Sequence, residues 1–410
     1  MVDSNSLDIN SLDIKSIVNI LTLRYDPTIT PNLTPKNWKD FVSDDKPISY
    51  ENIEEMISEE ISKKIDHIGS QGVCIALSGG VDSVLMLCLT RKLFPNLKIN
   101  AVSIRFANSV DETGNAAKIA ENFEAEHHII DIDNYLEELP KAISIIKQPF
   151  WDLHWYYVVK KSSKLGNILI SGDGGDEIFG GYTFRYEKFL KNTKIQSNSE
   201  TKTRNYLDCH ERDHVPDQEK IFGENISFSW NLISESIEPY FNNPLTPIEQ
   251  VFLADYNGKL LYNFNPINSR ICNYFGATVL APMLSEKIIS SGIKIPQELK
   301  YDQKNNVGKL PLRRILEKHK IENLVSNQKL GFNVNTVNLW KSYGFDICSR
   351  FIESSNIIEN GLISKEWVEK HLSKDQNDVR YINKFYGLLA FEIWVRLFLI
   401  KDLSPETKLN

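Results

Sequence analysis

From Gly72 onward the chain alternates short apolar runs with stretches whose apolar positions recur at three- and four-residue spacing. The runs VCIAL (73–77), INAVSIRF (99–106), HHIIDI (127–132) and NILIS (167–171) predict strands. VDSVLMLCLTRKLF (81–94), ETGNAAKIAENF (112–123) and HWYYVVKKSSKLG (154–166) predict the helices between them. Such alternation is the signal of parallel βαβ units. The expected fold class is therefore α/β, an open, mainly parallel sheet with helices on both faces and a helical C-terminal part. Near the end, YGLLAFEIWVRLFLI (386–400) is apolar at helical spacing and predicts a buried helix rather than a membrane span.

The pattern also suggests how the chain is divided. Residues 1–65 form a leader and a lead-in segment in which YDPTITPNLTPKNW is punctuated by prolines and asparagines. Residues 66–190 hold the strand–helix core. Residues 191–225, with NTKIQSNSETKTRN and ERDHVPDQEK, are polar and poor in periodicity, and are expected to be an exposed excursion or a loop. Residues 226–410 read as the helical remainder of the same domain.

Composition narrows the function classes. The 410 residues are 41% hydrophobic and 25% charged, with a formal net charge of -7. That balance counts against a broad basic face for nucleic acid, but leaves room for small anions held by local positive groups. The five cysteines, Cys74, Cys88, Cys209, Cys272 and Cys348, are scattered without a CxxC pair or zinc spacing, and read as reduced thiols. The polar, acidic start MVDSNSLDINSLDIK lacks the regions of a signal peptide, and no apolar run reaches membrane length. A cytoplasmic location is expected.

Two clusters carry candidate chemistry. SGGVDS, Ser78 to Ser83, follows a strand and opens a helix. Small residues there permit a tight turn whose backbone N–H groups, with the positive helix end, can face an anion such as pyrophosphate. Ser78 and Ser83 can add hydroxyl donors. Asp82 beside phosphates makes sense if a divalent cation lies between them, so it is assigned to Mg²⁺. The GxxxxGK[ST] pattern of γ-phosphoryl transfer is absent. The second cluster, SGDGGDEIFGGY, Ser171 to Tyr182, follows the next strand on the same sheet edge. It sets Asp173, Asp176 and Glu177 among glycines, which suits a metal–pyrophosphate site with a further carboxylate to act as base or orient a nucleophile.

SGGVDS followed about ninety residues later by SGDGGDEIFGGY resembles the synthetase domain of the asparagine synthetase family. The first motif alone also fits other PP-loop ATP pyrophosphatases, such as NAD synthetase, GMP synthetase and tRNA-thiolating enzymes. The likeness extends through LRYDPTITP at Leu23, KQPFWD at Lys147, APMLS at Ala281, KLPLRRIL at Lys309, NQKLGFNV at Asn327 and FEIWVRLF near the end. The resemblance implies that Ser78, Gly79, Gly80, Asp82 and Ser83 bind the phosphates of ATP. It places Leu77 and Ile104 against the adenosine, and Ser171, Gly172 and Asp176 by the nucleotide and pyrophosphate. Asp82 and Asp176 would hold Mg²⁺. Asp173 is linked to the reaction, and Lys329, in NQKLGF, would stabilise charge developing at the α-phosphate and acyl centre.

The resemblance thus implies an asparagine synthetase-like ligase. ATP and Mg²⁺ activate a carboxylate, by default aspartate, with release of pyrophosphate, and ammonia or an amine then gives the amide and AMP. No glutaminase segment headed by a cysteine precedes the synthetase motifs, so a separate glutaminase subunit or free ammonia is the expected nitrogen source. A homodimer is compatible with this reading; a membrane or nucleic-acid partner is not expected. An amide ligase acting on a specialised carboxylate and a PP-loop enzyme modifying tRNA are the alternatives. Ser269, Thr278, Leu280 and Ser285 stand where the family commonly has charges, and Lys147 and Gln148 replace an acidic pair. These departures imply altered packing or a changed substrate pocket. Trp151, His154 and Trp155 could line such a pocket.

Overall fold

The apolar runs become strands because they can be covered on both sides. The computed structural model describes residues 12–43, 48–65, 72–107, 109, 111, 113–210, 212–325 and 335–410. Strands β1 (Val73–Ala76), β2 (Ile99–Phe106), β3 (Glu126–Ile132) and β4 (Ile168–Ile170) lie where the pattern places them. A fifth, β5 (Thr278–Leu280), completes a sheet of order β3-β2-β1-β4-β5 in which every pairing is parallel. Every residue of β1 and β4 is buried. Since alternate side chains point to opposite faces, both faces of the sheet are covered there.

The strand order fixes where a ligand can sit. From β1 the chain winds outward through β2 to β3, then returns to place β4 against the other side of β1, with Ile75 opposite Ile170. The winding reverses between β1 and β4, and an open parallel sheet has its crevice at the carboxyl ends of the strands flanking such a reversal. Both glycine-rich motifs leave the sheet at that point.

Outside the sheet the chain is helical. Asp13 caps the helix Ile14–Leu23 by accepting from the Ser16 N–H at 3.0 Å. The helix ends at Arg24, whose φ of 67° is left-handed. The Arg24 guanidinium pairs with Asp152 and lies 4.6 Å from the ring centre of Trp151. The helix Tyr50–Ile65 buries Ile53, Ile57 and Ile61, and its Glu54 accepts from Lys92, Lys318 and His319. The C-terminal run forms the helix Val379–Val395, buried along most of its length. No described helix is long and apolar enough to cross a membrane.

Two parts differ from the sequence reading. Thr278–Leu280, a loop by its local pattern, pairs with β4, with Ile170 opposite Leu280. Three residues are too few for alternation to show, and the partner strand supplies the order. The polar segment 191–225 is not an exposed excursion. It contains the helix Ser199–Cys209, capped by Asn198, and buries Tyr206, Leu207, Val215 and Gln218. Gln218 donates to the Leu21 carbonyl at 3.1 Å and to the Thr22 hydroxyl at 3.0 Å. Asp213, 5% exposed, lies 2.5 Å from Lys259, 3.3 Å from His210 and 3.8 Å from Arg24. Polar side chains are buried here because their charges are met by residues far away in sequence, which local hydropathy cannot register.

Asp213→Ala leaves Lys259 and Arg24 buried without that anion. It should lower stability by about 3–5 kcal/mol, read as a fall in the urea midpoint of the purified protein. Glu54 gives a second expectation. Burial alone would raise its carboxyl, but hydrogen bonds from Lys318, His319 and Lys92 outweigh that and hold it at about 2. With the folded value depressed, its stabilisation is present above about pH 5 and is lost as pH falls from about 4 toward 2. Glu54→Gln should flatten that part of the acid limb in a pH series of thermal melts.

Candidate active site

β1 hands its chain directly into the first motif. The Leu77 N–H still pairs with the Val102 carbonyl at 2.9 Å, and Ser103 Oγ donates to the Leu77 carbonyl at 2.7 Å. Gly79 then turns at φ +73°, a conformation costly for a side chain with Cβ. Gly80 precedes the helix Val81–Leu93 without a side-chain cap. The first-turn amides of this helix are therefore not taken up by a capping side chain, and its positive end opens toward the crevice. The Ser78 and Ser83 hydroxyls lie 3.3 Å apart, and Ser83 donates to the Gly80 carbonyl at 3.1 Å, bracing the turn.

The second motif interlocks with the first. After β4 the Ser171 N–H donates to the Leu280 carbonyl at 2.9 Å, and Gly174 adopts φ +90° ahead of the short helix Gly175–Phe179. A Cβ at Gly172 would stand 2.5 Å from Asp82 Cβ, and one at Gly175 would stand 2.3 Å from Asp82 Oδ1. Glycine is needed in the second motif because the aspartate of the first occupies the space. A Cβ at Gly181 would likewise collide with Asp176 Oδ1 at 1.9 Å and with Lys309 Cε at 2.3 Å.

Lys309 joins the two motifs. Its ammonium pairs with Asp82 and lies 2.9 Å from Asp176. Its backbone is left-handed at φ 58°, and its N–H donates to the Phe179 carbonyl at 3.1 Å. Burial alone would lower its pKa; Asp176 and Asp82 outweigh that and raise it, so the lysine is charged. One turn on, Arg313 also reaches the cavity and donates to the Gly308 carbonyl at 3.1 Å.

These residues fit a magnesium ion. Two hard carboxylates from different loops, in a cradle that any Cβ would fill, already attract one cation. Among the described residues no group of three or more metal-ligating side chains occurs. Two carboxylates are the protein share that Mg²⁺ uses when substrate phosphates and water complete its shell.

The motifs border a cavity of ≈ 380 Å³. Ser78, Gly80, Asp82, Ser83, Ser171, Gly172, Asp173 and Asp176 line it. Leu77, Gly79 and Ile104 do not; Leu77 and Ile104 are buried. Lys329 lies outside the described residues. Asp173 accepts from Asn268 Nδ2 at 3.1 Å, and burial, with Asp82 adding to it, pushes its carboxyl up. Glu177, named in the sequence without a role, is buried and accepts from the Tyr182 hydroxyl. Burial first, and Asp176 second, push its carboxyl up to about 7.

Sequence reasoning left Lys309, Arg313, Leu260, Phe264 and Asn268 without site roles. Lys309 and Arg313 did carry a signal. They stand four apart at the start of the helix Leu310–Lys318, where Pro311 marks the first turn. Cations at a helix N-terminus oppose its dipole and call for an anionic partner. His154 and Trp155 line the cavity, whereas Trp151 is buried under Arg24. None of Lys147, Gln148, Ser269, Thr278, Leu280 and Ser285 lines it. Several of these departures serve packing instead: Gln148 accepts from Arg270 at 3.2 Å, and Ser285 caps the helix Glu286–Gly292.

The family model for asparagine synthase matches residues 64–396. The chain is 24% identical over 372 residues to asparagine synthetase [glutamine-hydrolyzing] 1 of Bacillus subtilis, covering 80% of this chain and 57% of the relative. A putative asparagine synthetase [glutamine-hydrolyzing] 2 of Methanocaldococcus jannaschii is 33% identical over 111 residues, 26% of this chain and 22% of that one. Among solved structures, NMN synthetase from Francisella tularensis overlaps 56% of this chain and 93% of its own at 17% identity and a TM-score of 0.26. The chain thus spans little more than half the length of the Bacillus subtilis relative. With the family model covering both motifs and most of the chain between the lead-in and the C-terminal helix, this protein belongs to the asparagine synthase family.

Proposed function

We propose that this chain is an amide-forming ligase that adenylates a carboxylic acid and passes the acyl group to ammonia or an amine. A carboxylate oxygen of the acid attacks the α-phosphorus of ATP, the bond to the β-phosphate bridging oxygen breaks, and pyrophosphate leaves. The nitrogen lone pair then attacks the acyl carbon, the bond to AMP breaks, and the nitrogen loses a proton as the amide forms. Aspartate and asparagine are the default pair from the family resemblance. The nitrogen donor is ammonia or an amine.

The meeting of Asp82, Asp176 and Lys309 at the carboxyl edge of β1 and β4 is the observation that carries this reading. Asp82 and Asp176 would hold Mg²⁺, which when bound neutralises charge on the phosphates. Ser78, Gly80 and Ser83 face pyrophosphate through backbone and hydroxyl donors, Gly79 supplies the turn between them, and Ser171 and Gly172 line the same cavity. The family resemblance assigns Leu77 and Ile104 to the adenosine, although neither lines the cavity itself. Asp173, steadied by Asn268, orients the nitrogen nucleophile. Lys329 stabilises charge at the α-phosphate and acyl centre as each step passes its transition state.

The test is product analysis with ATP, Mg²⁺, a panel of acids and ammonium. AMP and pyrophosphate are expected, and ADP as the product would sink the proposal. Asp82→Ala should lower pyrophosphate release at least a hundredfold; unchanged turnover would remove it from the site. Lys329→Ala should bind ATP within about threefold of wild type yet form little amide, and a wild-type rate would exclude it from the mechanism.

A further inference from the structure

Lys309 already holds the two carboxylates that a metal would need. Its ammonium meets Asp82 Oδ2 and, at 2.9 Å, Asp176 Oδ1. The chain accepts two unfavourable features to put it there. A residue with a Cβ takes a left-handed φ of 58°, and a cation stands at the N-terminal end of the helix Leu310–Lys318, against its dipole. The backbone around it is fixed. The Lys309 N–H donates to the Phe179 carbonyl at 3.1 Å, and a Cβ on the preceding Gly308 would lie 2.0 Å from the Gly180 carbonyl oxygen. The flexible four-carbon side chain is the part that can move.

A divalent ion bridging Asp82 and Asp176, whichever of their oxygens it takes, therefore meets the ammonium at close range. Two positive groups a few ångströms apart repel strongly in a crevice sheltered from water. The cradle is also narrow: a Cβ at Gly181 would lie 2.3 Å from Lys309 Cε, and one at Gly175 would lie 2.3 Å from Asp82 Oδ1. Arg313 lines the same cavity and adds a further positive charge. Metal arriving alone gains two carboxylates whose charge the ammonium already offsets in part. Metal arriving on a polyphosphate brings anionic oxygens of its own, which a displaced ammonium can meet.

Resting on the assignment of Asp82 and Asp176 to Mg²⁺, we propose that Lys309 is a built-in counter-cation that keeps free divalent metal out of this site, so that metal enters only together with the polyphosphate of the nucleotide. Lys309 is thus a positioning residue that sets the order of binding.

The experiment titrates the purified full chain, without nucleotide, with Mn²⁺ and counts the free ion by electron paramagnetic resonance. Wild type should bind Mn²⁺ more weakly than Lys309→Gln by about ten-fold or more, and Asp82→Asn added to that variant should abolish the gain. Thermal melts cover the case in which loss of the lysine weakens the fold, because an ion that binds the folded state raises its melting temperature. Mn²⁺ should restore much of the Tm lost in Lys309→Gln and leave the wild-type Tm unshifted. Equal Mn²⁺ affinity in the two proteins, or a variant that Mn²⁺ does not stabilise, overturns the proposal. Tight binding by wild type that Asp82→Asn removes also overturns it, and leaves the metal assignment standing. A gain in Lys309→Gln that survives Asp82→Asn puts the metal elsewhere and overturns that assignment together with this inference. No turnover enters these measurements, so adenylation is judged separately by its products.

Discussion

Two carboxylates facing each other in a half-buried crevice repel, and the fold pushes them together all the same. Asp82 stands at the start of a helix after β1 and Asp176 at the start of another after β4, and those strands are neighbours. Lys309 makes the arrangement tenable by placing one ammonium against both. Much of the surrounding backbone is shaped by this triad. Gly172, Gly175 and Gly181 are the positions where a side chain would collide with its members, and Gly308 packs so closely on the Gly180 carbonyl that a Cβ would lie 2.0 Å from it. A lysine in a left-handed conformation, tied through its N–H to Phe179, delivers the charge from a third part of the chain.

Behind the crevice, a second layer of charge holds the floor in place. Arg185 lies 3.6 Å from the ring centre of Tyr182 and 2.9 Å from Asp255, which also accepts from Tyr206 at 3.0 Å. Tyr182 in turn donates to Glu177. Asp213 links this layer through Lys259 and Arg24 to the first helix. The segment 191–225 is thus part of the support for the second motif. Its polarity reflects the need to match charges that come from distant positions.

The sheet was legible in the sequence where local pattern decides the outcome. Strands β1 to β4 are apolar runs bounded by turns and helices, and the two motifs announce themselves by glycine and aspartate at fixed offsets. It was illegible where pairing or distant charge decides. Thr278–Leu280 is a strand because β4 is beside it, and Ser199–Cys209 is a helix with a buried face because Tyr206 and Leu207 find partners elsewhere. The site divides in the same way. Asp82 and Asp176 belong to motifs, but Leu260, Phe264 and Asn268 look in sequence like one ordinary core-facing helical stripe. Only the tertiary position of that stripe opposite Asp173 makes it a wall of the cavity.

The two sides of the cavity are encoded by different means. The side built from the two glycine-rich motifs depends on backbone: turns at positive φ, glycines without room for a methyl group, and amides at a helix start. The opposite wall depends on interchangeable side chains projecting from regular helices. A substitution on the wall alters the shape and polarity of that side of the cavity while leaving the glycine-rich turns in place, whereas a side chain added at Gly172, Gly175 or Gly181 collides with Asp82, Asp176 or Lys309. The two sides of the cavity can therefore be changed separately: a new side chain on a helix reshapes one without moving the backbone of the other.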